Sequence, residues 1–323
     1  MRAIIVRELG GPQVLKIDVV DTPVPGPRQV LIAVRYIGVN FTDVRNRIGD
    51  GLGKVPFIPG IEVSGSVVGV GPGAGRYTVG QAVAAFTRGS AYAEYVVVPE
   101  DLVFAIPKDR AEDPAMAGML VTVPLAVTVI ERAARVRRGE TVVLHAAAGG
   151  VGCIVGQLLA PMDGVRLWGT VGDIAKAAYA RAHGYSEVMT YEEFPQRVRS
   201  LTDGAGVDVI LDPVGGPVQA SSLDLLAPFG RLVSYSNISR APQDLPDAEW
   251  MRAHCVGYVG LSNGYLMGRA PELVRQTLAR AVDLVTSGAV TIDVTQVLPL
   301  EQAADIHRAF EDRAAVGKFV LAV

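Results

Sequence analysis

Cysteine is scarce in this 323-residue chain. Only Cys153 and Cys255 occur, so there is neither a disulfide framework nor a cysteine-rich zinc lobe, and a reducing cytoplasm is the simplest location. Net charge is also small, formally −3, which gives no electrostatic reason to expect nucleic acid or an anionic membrane as a partner. No uncharged apolar run reaches the roughly 18 residues that a membrane-spanning helix needs, so none is expected. The opening "MRAIIVRELGGPQVLKIDVV" breaks its apolar run with charge too soon for a secretory signal and reads as a strand. Internal repeats and low-complexity segments are missing as well.

What is present is a globular composition, 50% hydrophobic and 20% charged, in a chain long enough for two domains. The first hundred residues read as short strands, such as "VLIAVRYIGV" and "EVSGSVVGVG", punctuated by "TPVPGPRQ" and "VGPGAG". From about Val121 apolar strand runs alternate with helical stretches. Strands are expected at Val142–Leu144, Arg166–Val171, Val207–Leu211 and Arg231–Ser234, the pattern of a parallel sheet with crossover helices. Val274, Leu278, Ala281 and Val285 recur at helical spacing before a stop at Gly288. A second helix is expected from about Leu300 to Asp312, with "GKFVLAV" closing the chain as a strand.

The stretch "TVVLHAAAGGVGCIVGQLLA" (Thr141–Ala160) carries the chemistry. Val142, Val143 and Leu144 form a strand, and Val151, Ile154, Val155, Leu158 and Leu159 form one stripe of the following helix. Between them Ala147, Gly149 and Gly152 hold the three positions of a G-x-G-x-x-G fingerprint, with alanine in the first. Such a turn aims free N–H groups at an anion, where the helix dipole also favours negative charge. Gly149 lets a pyrophosphate approach the backbone and Gly152 lets the helix sit close to the strand, which reads as a dinucleotide site. An NAD site usually carries an acid about 20 residues further on, for the ribose 2′-hydroxyl. Thr170 stands there instead, Asp173 comes later and Lys176 follows. Lys176 argues for a 2′-phosphate and hence NADPH; the alternative makes Lys176 a solvated helix residue and Asp173 an N-cap.

With "GVNFTDVRNRIG", "FIPGIEVSGSVVGVG", "AYAEYVVVPED", "HAAAGGVG", "GVDVILDPVGG", "LLAPFGRLVSYS" and "GKFVL" in this order, the chain resembles the medium-chain dehydrogenase/reductase superfamily, in its zinc-independent quinone oxidoreductase (zeta-crystallin-like) branch. Polyketide enoylreductase domains share "NFTDV" and "HAAAGGVG". The resemblance implies an α/β protein: a GroES-like, mainly β catalytic domain (1–120), a Rossmann-type doubly wound NADPH-binding domain (121–262), and a return to the catalytic domain (263–323). It implies that the cofactor lies in the cleft between them. Zinc members of the superfamily carry a Cys at the place of Asn40 and a His at that of Ile61. Neither residue here replaces a thiolate or an imidazole at zinc, and the histidines at 145, 183, 254 and 307 are scattered, so no catalytic metal is expected. Glu62 reads as a structural carboxylate.

The same resemblance implies hydride delivery to a quinone or to the β-carbon of an α,β-unsaturated carbonyl, with hydrogen-bond donors for the charge that develops on oxygen. Asn40 becomes the candidate for orienting substrate or nicotinamide ribose, the alternative being a loop-holding asparagine. Asp43 shapes the same segment or caps a helix. Gly149, Gly150, Val151 and Gly152 would hold the pyrophosphate; Lys176 and Tyr191 would flank the adenosine 2′-phosphate, and Gly172 is a further cofactor-binding candidate; Ser236 and Asn237, with the backbone of Leu261 and Ser262, would lie on the nicotinamide side. Lys318 either reaches the cofactor or sits at a strand edge.

Where relatives carry Leu-Thr this chain has Pro124-Leu125, which leaves Thr128 as a substitute hydroxyl. Arg45 and Arg47 replace a tyrosine region and read as solvated surface or as partners of an acidic substrate. An enoyl thioester on coenzyme A or a carrier protein is the alternative substrate, and a cofactor-binding protein without turnover is the alternative class. Homodimers are implied, through an edge strand at Tyr258–Leu266.

Overall fold

A computed structural model describes residues 1–51, 54–243 and 245–323. The N-terminal part holds an antiparallel pair, β1 (Arg2–Ile5) and β2 (Lys16–Val19), followed by β3 (Gln29–Val39), helix α1 (Phe41–Ile48), β4 (Glu62–Val70), β5 (Ala82–Phe86), β6 (Tyr95–Pro99) and β7 (Val103–Ala105). Helix α2 (Met119–Thr128) leads into a π-helical turn at Val129–Ala134. Then come β8 (Thr141–Leu144), α3 (Gly150–Leu159), β9 (Arg166–Val171), α4 (Ala177–Ala182), β10 (Glu187–Thr190), α5 (Phe194–Leu201), β11 (Val207–Asp212), α6 (Gly216–Leu223), β12 (Leu226–Ser234), α7 (Ala248–His254), β13 (Gly257–Gly260) and α8 (Asn263–Arg269). The chain ends with α9 (Pro271–Thr286), β14 (Val294–Pro299), α10 (Ala303–Glu311) and β15 (Lys318–Ala322).

These elements form two compact units, Met1–Pro124 with Arg275–Val323, and Leu125–Val274. The switch points fall inside α2 and α9 rather than after residues 120 and 262, because α8 and the first turn of α9 cluster with the second unit. No helix among the described residues is long and apolar enough to cross a membrane.

The first unit is built on a seven-stranded sheet of order β14-β15-β3-β4-β5-β7, with β6 also on β3. β3 is long enough to serve two partners on one edge: Gln29–Ala33 faces β6, and Tyr36–Val39 faces β15. Its inward side chains Val30, Ile32 and Val34 alternate with less buried ones, as a pleated strand requires. The return of β15 to β3 closes the discontinuous unit.

The second unit has six parallel strands in the order β10-β9-β8-β11-β12-β13. Numbered from β8, that order is 3-2-1-4-5-6, the doubly wound dinucleotide-binding arrangement with its topological switch between β8 and β11. Both faces are covered, so "TVVL" of β8 is buried throughout. Val143, Trp168, Met189, Phe194, Val198, Ile210 and Leu232 meet in one core cluster, and each such side chain contributes about 1.5–3 kcal/mol by leaving water. The segment expected as an edge strand at Tyr258–Leu266 is extended only over Gly257–Gly260; Ser262 then accepts the Tyr265 N–H and starts α8.

Candidate active site

The glycine turn leaves β8 and enters α3 at the switch point. Ala147 N–H bonds to Thr170 O at 2.9 Å, fastening the turn to β9, and Ala146 takes a left-handed φ of 58°. A Cβ at Gly152 would stand 2.4 Å from Ala147 O, so only glycine lets α3 begin this close to the strand. A Cβ at Gly149 would meet only Ala146 O, at 3.3 Å, which leaves the outer side of the turn open. Gly150, Val151 and Gly152 form the first turn of α3, whose N–H groups have no intrahelical acceptor. The cradle fits a pyrophosphate: bare backbone, room, and donors at a helix N-terminus. The buried side of α3 extends beyond the expected stripe to Gly152, Cys153 and Gly156, while Leu158 is half-buried.

At the carboxyl ends of β9 and β10 the candidates for the adenosine end lie together. A Cβ on Gly172 would lie 3.6 Å from the Tyr191 ring, and Lys176 ends a short 3-10 turn, Ile174–Lys176, capped by Asp173, which accepts the Ala175 N–H at 2.9 Å. Burial lowers the Lys176 pKa and the nearby Asp173 charge raises it. Thr170, at the position of the usual acid, points inward instead. Its hydroxyl and that of Ser222 lie 2.8 Å from the two ring nitrogens of the buried His145. Ser222 donates to Val218 O, so His145 donates from Nε2 and accepts at Nδ1. Burial holds the His145 pKa down at about 4, and the ring is neutral.

Of the residues expected on the nicotinamide side, Asn237, Leu261 and Ser262 have internal partners. Asn237 donates to Ala241 O and accepts from Ser239, lying over Gly215. Leu261 N–H continues the ladder to Ser234 O, and the Ser262 hydroxyl caps α8. Ser236 is half-buried. Thr128 is buried at the end of α2, which contains Pro124.

In the first unit, register brings three polar residues to adjacent strand ends. Val39 pairs with Phe319 and Ile37 with Val63, so Lys318 begins β15 beside Asn40, and Glu62 begins β4 beside Gly38. The Lys318 ammonium donates to Val39 O (3.0 Å), Asn40 Oδ1 (2.8 Å) and Glu62 Oε1 (2.6 Å). Asn40 Nδ2 donates to Glu62 Oε1 (2.9 Å) and Gly38 O (3.2 Å). The second Glu62 oxygen accepts Leu120 N–H (2.8 Å) and Val121 N–H (3.0 Å), the first-turn donors of α2. All three side chains are buried. Lys318 is therefore neither an edge residue nor an open cation, since its three protons all have acceptors.

Asp43 sits at the third position of α1, where its Oδ2 accepts the Asn40 N–H at 2.9 Å. Burial pushes its pKa up to about 7, against the Asn40 N–H and the Lys318 charge. Behind it, Tyr92 OH lies 3.0 Å from His307 Nε2 and makes a longer 3.4 Å contact to Asp43. Burial, then the Arg47 charge, lowers the His307 pKa to about 3. Arg47 is not solvated surface as the sequence suggested: it is 0% exposed and pairs with Glu311 of α10. Arg45 instead donates to Asp50 O at the end of α1. Tyr92 and His307 were not among the expected site residues, because nothing local in "SAYAEY" or "ADIHRAF" marks their meeting.

Two family profiles match the chain: "Alcohol dehydrogenase GroES-like domain" over residues 26–108 and "Zinc-binding dehydrogenase" over 183–321. A probable quinone oxidoreductase of Schizosaccharomyces pombe is 34% identical over 318 residues, 98% of this chain and 95% of the relative. A 2-haloacrylate reductase of a Burkholderia species is 30% identical, over 99% of this chain and 98% of its own length. Among solved structures, a mycobacterial protein complexed with NADPH superposes with a TM-score of 0.91 at 34% identity, covering 100% of both chains. With the 3-2-1-4-5-6 sheet, the GroES-like unit and relatives matched along nearly their whole length, the chain belongs to the medium-chain dehydrogenase/reductase superfamily, on its quinone oxidoreductase branch.

Proposed function

We propose that this protein is an NADPH-dependent reductase that works without a metal and passes hydride to a quinone or to the β-carbon of an α,β-unsaturated carbonyl. The observation that carries this reading is the open glycine cradle at the switch point, with Gly172, Lys176 and Tyr191 gathered at the next strand ends. The solved mycobacterial relative was complexed with NADPH, and the Burkholderia relative is named for an activated alkene, 2-haloacrylate. NADPH, when bound, supplies the hydride. The chain's own part is to hold the pyrophosphate on the N–H groups of Gly150, Val151 and Gly152, and the 2′-phosphate by the Lys176 ammonium. Asn40 is the candidate for orienting the reacting partners.

Zinc does not fit the residues present. The places of the superfamily's Cys and His ligands hold the Asn40 amide and Ile61, and Glu62 is held by an ammonium and three N–H donors. Among the described residues no group of three or more His, Cys, Asp or Glu converges on a common point. A homodimer through β13, the last strand in the order of its sheet, is part of the same proposal.

The test is NADPH oxidation by the purified protein with a simple quinone, an enone and an enoyl thioester side by side. Turnover of the quinone or the enone supports the proposal. Exclusive turnover of the thioester would move the substrate to a coenzyme A or carrier-protein ester, and tight NADPH binding with no turnover of any acceptor would overturn the enzyme reading.

A further inference from the structure

The Asn40 carboxamide has little hydrogen-bonding capacity left. Both Nδ2 protons have acceptors, Glu62 Oε1 and Gly38 O, and Oδ1 already accepts from the Lys318 ammonium. One lone pair on Oδ1 remains. The flipped amide would set its NH2 group against the ammonium and its oxygen against the carboxylate, so the charges on either side dictate one orientation. Space has been made for this arrangement. A Cβ on Gly38 would stand 2.5 Å from Glu62 Oε1, and one on Gly118 would stand 2.9 Å from Lys318 Cγ.

We infer that Lys318 is a positioning residue which, together with Glu62, locks the Asn40 amide so that it can only accept a hydrogen bond from a bound partner. It rests on the proposed placement of Asn40 beside the reacting partners. An acceptor recognises a hydroxyl, such as a sugar hydroxyl of the nucleotide or of a reduced substrate, and cannot donate to a carbonyl oxygen that gains charge. Lys318 likewise has no proton left for a phosphate, so its effect on nucleotide binding passes through Asn40.

The test uses the full-length protein and two titrations, with NADPH and with 2′,5′-ADP, which has the adenosine phosphates but no nicotinamide half. Lys318→Met keeps the side-chain stem and removes the three donors. It is expected to weaken NADPH about tenfold, the size of one lost charged hydrogen bond, and to lower turnover, while leaving 2′,5′-ADP within about twofold. The Lys318→Met/Asn40→Ala double variant is expected to bind NADPH no more weakly than Asn40→Ala alone, since both changes remove one interaction. If circular dichroism shows that Lys318→Met does not fold, Lys318→Met/Glu62→Gln, which removes both charges, replaces it with the same expectations. Equal loss of both nucleotides, or additive losses in the double variant, would overturn the inference while leaving the proposed function standing. Wild-type protein that binds neither nucleotide would overturn both.

Discussion

Glu62→Gln is the sharpest perturbation of the first unit. The native carboxylate accepts four hydrogen bonds, from Lys318 Nζ, Asn40 Nδ2, Leu120 N and Val121 N, at 2.6 to 3.0 Å. A glutamine can accept on only one side. If its oxygen serves the two backbone donors of α2, its NH2 group faces the ammonium and the Asn40 amide, so donors meet donors and the buried lysine loses its counter-ion. Removing one partner of a buried ion pair costs about 3–5 kcal/mol, a large share of the roughly 5–15 kcal/mol by which a domain is stable. Both tryptophans, Trp168 and Trp250, lie in the second unit, so fluorescence would miss the loss. Amide hydrogen exchange resolves it: peptides from β3, β4 and β15 should lose protection, and those from β8 and β11 should keep it. The Glu62→Gln/Lys318→Met double variant should regain more than half of the deficit, because removing both charges is far cheaper than stranding one. A single-variant loss below about 1 kcal/mol, the size of an exposed pair, would mean that Glu62 and Lys318 do not depend on each other as a buried pair.

Three further outcomes follow from the second unit. Gly152→Ala places a methyl 2.4 Å from Ala147 O; the turn must move, so stability should fall by about 1–3 kcal/mol and calorimetry should show weaker NADPH binding. Lys176→Ala should weaken NADPH by roughly 10- to 100-fold, as expected for a lost charge-assisted bond, and NADH far less; equal losses in competition titrations would remove the 2′-phosphate assignment. His145 is neutral because burial holds its pKa at about 4. The unfolded chain takes up the proton first as pH falls below about 6.5, so the second unit should lose about 3 kcal/mol between pH 6.5 and 4. Urea unfolding followed by tryptophan fluorescence checks that slope, and His145→Gln should flatten it.

The second unit was more legible in the sequence than the first, for a physical reason. Its strands are buried on both faces, so "TVVL" and "RLWGTV" stand out as apolar runs, and the glycines between β8 and α3 mark a turn that tolerates no side chain. Arg166–Val171 is a strand over the expected residues, and α9 begins at Pro271, three residues before the periodic apolar positions start. The polar cluster of the first unit gave no such signal. Glu62 and Lys318 lie 256 positions apart, and only the register of β15 and β4 against β3 brings them to Asn40. Arg47 looked solvated because burying an arginine requires a partner, and its partner, Glu311, is 264 positions away. The end of β13 was misplaced because "LSNGYL" has strand-like residues while its serine is a good N-cap, and the cap prevails.

Calorimetric titration of the purified, nucleotide-free protein with NADPH, run beside NADH, decides whether the glycine cradle and Lys176 hold this nucleotide. One NADPH site per chain that is at least tenfold tighter than NADH is the predicted result, the factor being that of one charged contact to the 2′-phosphate. Heats indistinguishable from dilution for both nucleotides would contradict it.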